Sequence, residues 1–523
     1  MDGTPPGAGG TLRPTSSIWL RNTPDPELNA RPSLPLSSAV QGVAAFAPLA
    51  PLRSFSSAPG RVSGGDPRTM GWGAGRRMGM VATEERSEFA NIEKLRFLTP
   101  ESAEAVRSTV GTPAYVYDMA TLKKSAEAAL AFPNAFGLTV RFAMKSCPNA
   151  AVLQLFHSMG LHFDCSSGWE VKRALAAGVP AEKLCLSTQE LPSDIAELLS
   201  QGILVNACSL SQLETLGREC RGAEVGIRFN PGSGSGGTGQ TNVGGPDSSF
   251  GVWHQWATRA RELSQEGGIT VRRVHTHIGS GSDPEVWQRV SAMSIDLVGE
   301  FPDVDTLNLG GGYKVGRMAG EKTTDLGVVG APVKDAFEAF AKETGRSLKL
   351  EVEPGTFLVA NAGALVSTIQ DIVSTGPSGH DFLKLDAGMT DLLRPSLYGA
   401  QHPIVIVPAG GGGAAAAAAE GRDTHKYVVV GHCCESGDLL TPADGVPDQL
   451  EDRPLMRAEI GDLCVVEGSG AYVSGMSAKN YNSFPEAPEV LLSEMGNLHV
   501  IRRRQSLEQV FQNEVPAPQA LFR

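Results

Sequence analysis

Between residues 139 and 355 short apolar strand-like runs alternate eight times with amphipathic helical stretches, and few folds accept that pattern. The runs cover 139–145, 161–165, 184–189, 203–208, 224–230, 271–279, 306–312 and 348–355. Apolar residues recur at helical spacing between them, over 150–159, 168–177, 193–201, 209–219, 253–266, 284–299 and 333–344. Eight β-α repeats over this length predict a (β/α)8 TIM-like barrel, assigned to 119–356. The other arrangement open to such alternation is a doubly wound sheet, but no G-x-G-x-x-G follows the first strand.

After residue 355 the helices drop out. Strand-like runs at 364–374, 381–387, 402–407, 426–432, 462–467, 488–493 and 497–504, punctuated by Gly, Pro and Asp, predict an antiparallel β domain over 357–510. The run at 112–117 is expected to join it. An Ala-Gly tract at 409–419 falls between two of these strands and reads as an inserted surface loop.

The first 85 residues stand apart. Residues 1–80 carry eight arginines, no lysine and four acids, a balance of +4 within a chain of net charge −12. Rich in Ser, Pro, Gly and Ala and without helical or strand period, such a segment cannot offset its ordering entropy by burial. It reads as a disordered leader, either a plain tail or an organelle transit peptide. The acidic remainder argues against a nucleic-acid groove or an anionic membrane face, and no apolar run reaches membrane-spanning length. Eight cysteines without a C-x-x-C pair point to a reducing compartment and no structural metal.

A barrel gathers its chemistry at the carboxyl ends of its strands. Those ends carry Lys145, Asp164, Arg228, His277 with Ser280, the triplet Gly310, Gly311 and Gly312, and Glu353. A lysine at a strand mouth is usually just solvated; a desolvated one is a known way to hold an aldehyde cofactor as a Schiff base. A glycine triplet after the seventh strand suits the barrel phosphate site, where bare amides approach an anion.

These residues sit in motifs that resemble the fold-type III pyridoxal-phosphate decarboxylases, the group of ornithine, arginine and diaminopimelate decarboxylases, and most of all the last. The resemblance spans 112–505 through AMKSCPN at Lys145, HTHIGSG at 275–281, LGGGY at 309–313, EPG at 353–355, DAGMTDLLRPSLYGAQHPI at 386–404, CESGD at 434–438 and GAYVSGMSAKNYN at 470–482. It implies that Lys145 binds the aldehyde of pyridoxal 5'-phosphate and that His277 stacks on its ring. Ser280 and Gly310 to Gly312, with Tyr472, would hold the cofactor, and Glu353 would face the pyridine nitrogen and keep it protonated. Cys434 would reprotonate the α-carbon, and Glu435 would bind the far amino group of the substrate. Arg394 would grip a substrate carboxylate, with Tyr398 and Tyr472 beside it.

The resemblance further implies a homodimer with shared sites, CESGD being contributed by the partner subunit. The expected reaction is decarboxylation of meso-2,6-diaminopimelate to L-lysine and CO2, in a plastid if the leader is a transit peptide. The alternatives are a decarboxylase of ornithine, lysine or a carboxylated polyamine precursor, and a non-catalytic regulatory homologue. Three departures bear on the substrate: Thr356 follows EPG where the family usually has arginine, Ser249 replaces a common lysine, and Ser187-Thr188-Gln189-Glu190 replaces an Asn-Lys segment. A glycine-rich stretch over 231–245 is an extension of the pattern.

Overall fold

The computed structural model describes residues 93–232, 244–277, 283–410 and 417–523. The leader, Ser280 and most of the glycine-rich stretch lie outside the described residues. In chain order the first strands are β1 (Ala114–Asp118), β2 (Leu138–Ala143), β3 (His162–Cys165), β4 (Leu184–Ser187), β5 (Leu204–Ala207), β6 (Glu224–Asn230) and β7 (Val252–Trp253). Then come β8 (Thr270–Thr276), β9 (Thr306–Asn308), β10 (Lys349–Val352), β11 (Gly363–Ser374), β12 (Asp381–Leu385), β13 (Ile404–Val407) and β14 (Thr424–Val430). The last are β15 (Pro442–Ala443), β16 (Val446–Leu450), β17 (Arg453–Met456), β18 (Leu463–Val466), β19 (Glu489–Leu492) and β20 (Leu498–Arg502).

All eight predicted barrel strands form, and they close. The parallel order is β5-β4-β3-β2-β10-β9-β8-β6, with β6 pairing back onto β5 and the short β7 attached outside the ring. Six of the eight strands end earlier than the apolar pattern does. The run at 306–312 stops at Asn308 because Gly310 and Gly312 take φ of +70° and +100°, which no strand adopts. One helix begins earlier than expected, at Leu326 rather than 333: Asp325 caps it by accepting from Gly327 N and Val328 N, and Pro332 is carried inside.

The turn that presents Lys145 is held by aromatic packing. Asn149 Oδ1 accepts from Ala151 N at 2.9 Å and starts the helix Ala150–Ser158, which buries Val152, Leu153 and Phe156. Phe156 meets Phe142 of β2 edge-on at 4.8 Å, and Phe142 meets Phe163 of β3 at 6.3 Å. Truncating one of these buried rings typically costs about 3–5 kcal/mol, so strand, turn and helix behave as one unit.

The second sheet runs β17-β14-β12-β11-β1-β19-β20, with β18 bridging β11 and β13. As expected, the strand predicted at 112–117 enters it, as β1 between β11 and β19. The sheet is antiparallel apart from β1 with β19 and β12 with β14, which run parallel. Sequence periodicity does not reveal β15 to β17, because 446–456 mixes prolines and acids on largely exposed positions. Residues 411–416 of the Ala-Gly tract lie outside the described residues, between β13 and β14. No helix among the described residues is long and apolar enough to cross a membrane.

Candidate active site

Barrel lumens are commonly filled by branched aliphatic side chains. Here many inward positions are polar instead: Arg141 and, beyond Ala143, Lys145 from β2 and its turn, Arg273, His275 and His277 two apart along β8 and its end, and Glu351 and Glu353 from β10 and its end. At the lower level Glu351 Oε1 pairs with Arg141 Nη2 at 2.6 Å and its Oε2 with Arg273 Nε at 2.9 Å, all three side chains being nearly fully buried. Burial alone would raise the Glu351 pKa, but the two guanidiniums pull it down to about 2.

One level up, Asn308 connects this triad to Glu353. Its Nδ2 donates to Glu353 Oε1 at 2.7 Å and to Glu351 Oε2 at 3.3 Å. His275 Nε2 lies 3.3 Å from Glu353 Oε2, out of line for a good hydrogen bond, so that oxygen keeps accepting capacity. Burial pushes the Glu353 carboxyl up, yet His275 beside it and Arg228 outweigh burial and hold the group well below the usual carboxylate range.

The mouth brings Lys145, Asp164, Arg228, His277 and the glycine triplet together. Lys145 is reached by solvent although ringed by protein, and its Nζ makes no hydrogen bond or ion pair among the described residues. Burial lowers its pKa, but Tyr472, Asp164 and Glu353 outweigh burial and the opposing Arg228, so the value ends above that of an ordinary lysine. Asp164 is raised well above its usual value by burial and by Glu353, and its Oδ1 has no hydrogen-bond partner among the described residues. His277 Nδ1 accepts from Gly311 N at 3.2 Å, which fixes the tautomer; burial, Arg228 and Lys145 keep the ring neutral.

The triplet can be nothing but glycine. A Cβ on Gly310 would come 2.5 Å from His277 Nδ1, and one on Gly311 would come 2.0 Å from the Glu353 carbonyl. Gly310 N donates to Asn308 Oδ1 and Gly311 N to His277, while the Gly312 amide has no acceptor among the described residues. A free amine in an enclosed mouth, a buried anionic carboxylate with a spare lone pair and a bare amide on a glycine cradle fit the aldehyde, ring nitrogen and phosphate of pyridoxal 5'-phosphate.

Tyr472 belongs to the same place. Its backbone takes the left-handed region at φ +57°, and its amide donates to the Ser146 carbonyl at 2.8 Å, next to Lys145. Arg394 lies over the Tyr398 ring at 5.9 Å and donates from Nε to His402 Nε2 at 3.3 Å.

Cys434 and Glu435 stand elsewhere. They are exposed on a loop lining a cleft of about 1070 Å3, together with Thr112, Phe382, Phe484 and Arg504, and no residue of the Lys145 group lines it. Asp438 pins that loop: it accepts from Cys433 N at 2.8 Å and Met389 N at 2.6 Å, and an added Cβ on Gly388 or Gly431 would collide with it. Cys434 N donates to Asn482 Oδ1 at 2.9 Å, in a segment where Asn480, Asn482 and Ser483 all have positive φ. Sequence reasoning missed His275, Asn308 and the Arg141–Glu351–Arg273 triad; the signal was present as polar residues two apart in strands that otherwise read as buried.

Residues 121–360 match the pyridoxal-binding domain of the pyridoxal-dependent decarboxylases. The diaminopimelate decarboxylase of Escherichia coli K12 is 35% identical over 431 residues, which cover 80% of this chain and 97% of that protein. A crystal structure of diaminopimelate decarboxylase superposes with a TM-score of 0.73 at 34% identity, covering 80% of this chain and 98% of the other. The Helicobacter pylori enzyme, crystallised with L-lysine, gives 0.67 at 28% identity over 78% of this chain and 98% of its own. At such identity over nearly the whole length of its relatives, the chain belongs to the fold-type III pyridoxal-dependent decarboxylase family.

Proposed function

We propose that this protein decarboxylates meso-2,6-diaminopimelate to L-lysine and CO2. The observation that carries the reading is the convergence of Lys145 and Glu353, more than two hundred positions apart in sequence, on one barrel mouth beside Gly310 to Gly312. Relatives named diaminopimelate decarboxylase at 28–35% identity support the choice of substrate. When bound, pyridoxal 5'-phosphate supplies the ring that takes up the electron pair of the breaking carbon–carbon bond.

The chain's residues prepare for that. Asp164 acts on Lys145 across the mouth, and burial makes its carboxylate an unusually basic one, so in its ionised form it would take the Nζ proton, become the neutral acid and leave a neutral amine. Glu353 stays ionised and would serve as the partner of the cofactor's ring nitrogen, while Asn308 Nδ2, donating to its Oε1, holds the carboxylate in place. The neutral His277 offers an uncharged ring face beside the triplet. Cys434 Sγ would deliver the proton to the α-carbon and Glu435 would bind the distal amine, both from the second subunit of a homodimer; their placement in a separate cleft supports this. The arginine-rich leader supports import into a plastid, with the mature enzyme in the stroma.

The test is CO2 release from meso-diaminopimelate set against ornithine and L-lysine. Diaminopimelate should yield equimolar L-lysine and outpace both comparators. Turnover of ornithine without turnover of diaminopimelate replaces the substrate, and no turnover of any of them by pyridoxal-loaded protein replaces the enzyme with a binding homologue.

A further inference from the structure

The loop after the glycine triplet carries an arginine with no role in the scheme above. Glu321 Oε2 braces its backbone by accepting from Arg317 N at 2.7 Å and Met318 N at 3.0 Å. Asn361 Nδ2 donates to the Gly316 carbonyl at 3.1 Å, and the Tyr313 ring stands 6.5 Å from Phe357. The loop is thereby fixed against the segment that begins at Thr356. The Arg317 stem crosses Gly468, where an added Cβ would come 3.1 Å from its Cγ, and Nε donates to the Gly468 carbonyl at 3.0 Å. Nη2 is buried with no hydrogen-bond partner among the described residues.

A second guanidinium lies close by. Arg317 and Arg394 repel each other and both act on His402, whose Nε2 receives Arg394 Nε and whose Nδ1 donates to the Glu467 carbonyl at 3.1 Å. Burial first, then Arg394, brings Arg317 down to about 9, with Glu321 and Tyr472 opposing. Gly468, which receives Arg317 Nε, lies four residues before Tyr472, whose amide donates to the Ser146 carbonyl beside Lys145, so this segment ties the arginine to the Lys145 end of the barrel; Tyr472 also acts on Arg394. Two half-hidden cations, one of them with a buried Nη2 that has no acceptor among the described residues, are costly to hold together unless an anion completes them, and a carboxylate matches the geometry of a guanidinium.

We propose that Arg317 joins Arg394 to bind the second carboxylate of the substrate, the one at the end away from Lys145. The loop supplies from a neighbouring element the charge that Thr356 lacks, and so selects substrates carboxylated at both ends over ordinary basic amino acids. This rests on the reading of the enzyme as acting on diaminopimelate.

The test compares holoenzyme with Arg317→Met, which keeps the stem and removes the fork. Calorimetric titration with pimelate and with heptanoate isolates the second carboxylate from turnover. Wild type should prefer pimelate, and Arg317→Met should lose about 10- to 100-fold of pimelate affinity while heptanoate is unchanged. The KM for diaminopimelate should rise by a similar factor with kcat little altered, and Thr356→Arg in the same background should recover much of the loss. Unchanged pimelate affinity overturns the proposal, as does loss of cofactor absorbance in Arg317→Met, which would put the arginine on the phosphate. Should Arg317→Met fail to fold, Arg317→Lys serves in its place: weaker pimelate binding supports the fork, and full affinity rejects it. A wild type that binds pimelate through Arg317 yet turns over no diaminopimelate would sink the substrate reading and leave the arginine pair standing.

Discussion

Replacing Glu351 by glutamine keeps the shape of the barrel floor and removes the one charge that balances Arg141 and Arg273. Its pKa of about 2, against an ordinary 4.5, corresponds to roughly 3 kcal/mol of stability at neutral pH. Breaking a buried ion pair by deleting one partner typically costs about 3–5 kcal/mol, so two routes give the same order. The sign follows from the depressed value: the contribution is complete above the unfolded carboxyl's range and drains away as acid takes the pH down toward 2. Equilibrium unfolding in urea at fixed protein concentration should therefore place Glu351→Gln about 3 kcal/mol below wild type at pH 7, with about half that gap near pH 3. A triple variant, Glu351→Leu with Arg141→Met and Arg273→Met, should regain most of the loss because no unpaired charge is left. Because Asn308 bridges Glu351 and Glu353, kcat in Glu351→Gln should fall as well. A single variant within about 1 kcal/mol of wild type at pH 7, with no narrowing of the gap in acid, would refute this account of the triad.

Three further outcomes follow from the site. Lys145→Ala and Cys434→Ala should each be inactive, but a re-equilibrated equal mixture should recover about a quarter of wild-type turnover, since half the dimers then hold one intact site; no recovery rules out a shared site. Gly311→Ala should fold yet fail to retain pyridoxal 5'-phosphate, read as missing visible absorbance, because its methyl would sit 2.0 Å from the Glu353 carbonyl; normal cofactor retention would remove the triplet from the cradle. Asp438→Asn should keep the cofactor and lose about 10- to 100-fold in kcat by loosening the Cys434 loop; unchanged kcat would mean that the clamp does not position Cys434.

Much of this was legible in the sequence because it depends on period. The β-α alternation gave the barrel, and the strand-end rule placed Lys145, Asp164, His277, the triplet and Glu353 on one face before any contact was known. What periodicity cannot carry is side-chain partnership across strands. Glu351, Asn308 and His275 are adjacent only through register, with His275 beside Asn308 and Asn308 beside Glu351. Arg317 was invisible for another reason: it lies in a loop, outside every motif, and its meaning comes from Gly468 far along the chain. Cys434 and Glu435 were legible as chemistry, yet a single chain does not bring them to Lys145.

The ionic ladder inside the barrel also bears on how the chain finds its fold. If β10 slid by one residue against β2, Leu350 and Val352 would turn into the lumen and two carboxylates would be driven against the apolar helical layer. Such a misaligned intermediate would strand Arg141 and Arg273 at the same time, so it is penalised on both strands at once. The charges below the reaction centre therefore act as an alignment key during assembly, well before any ligand arrives.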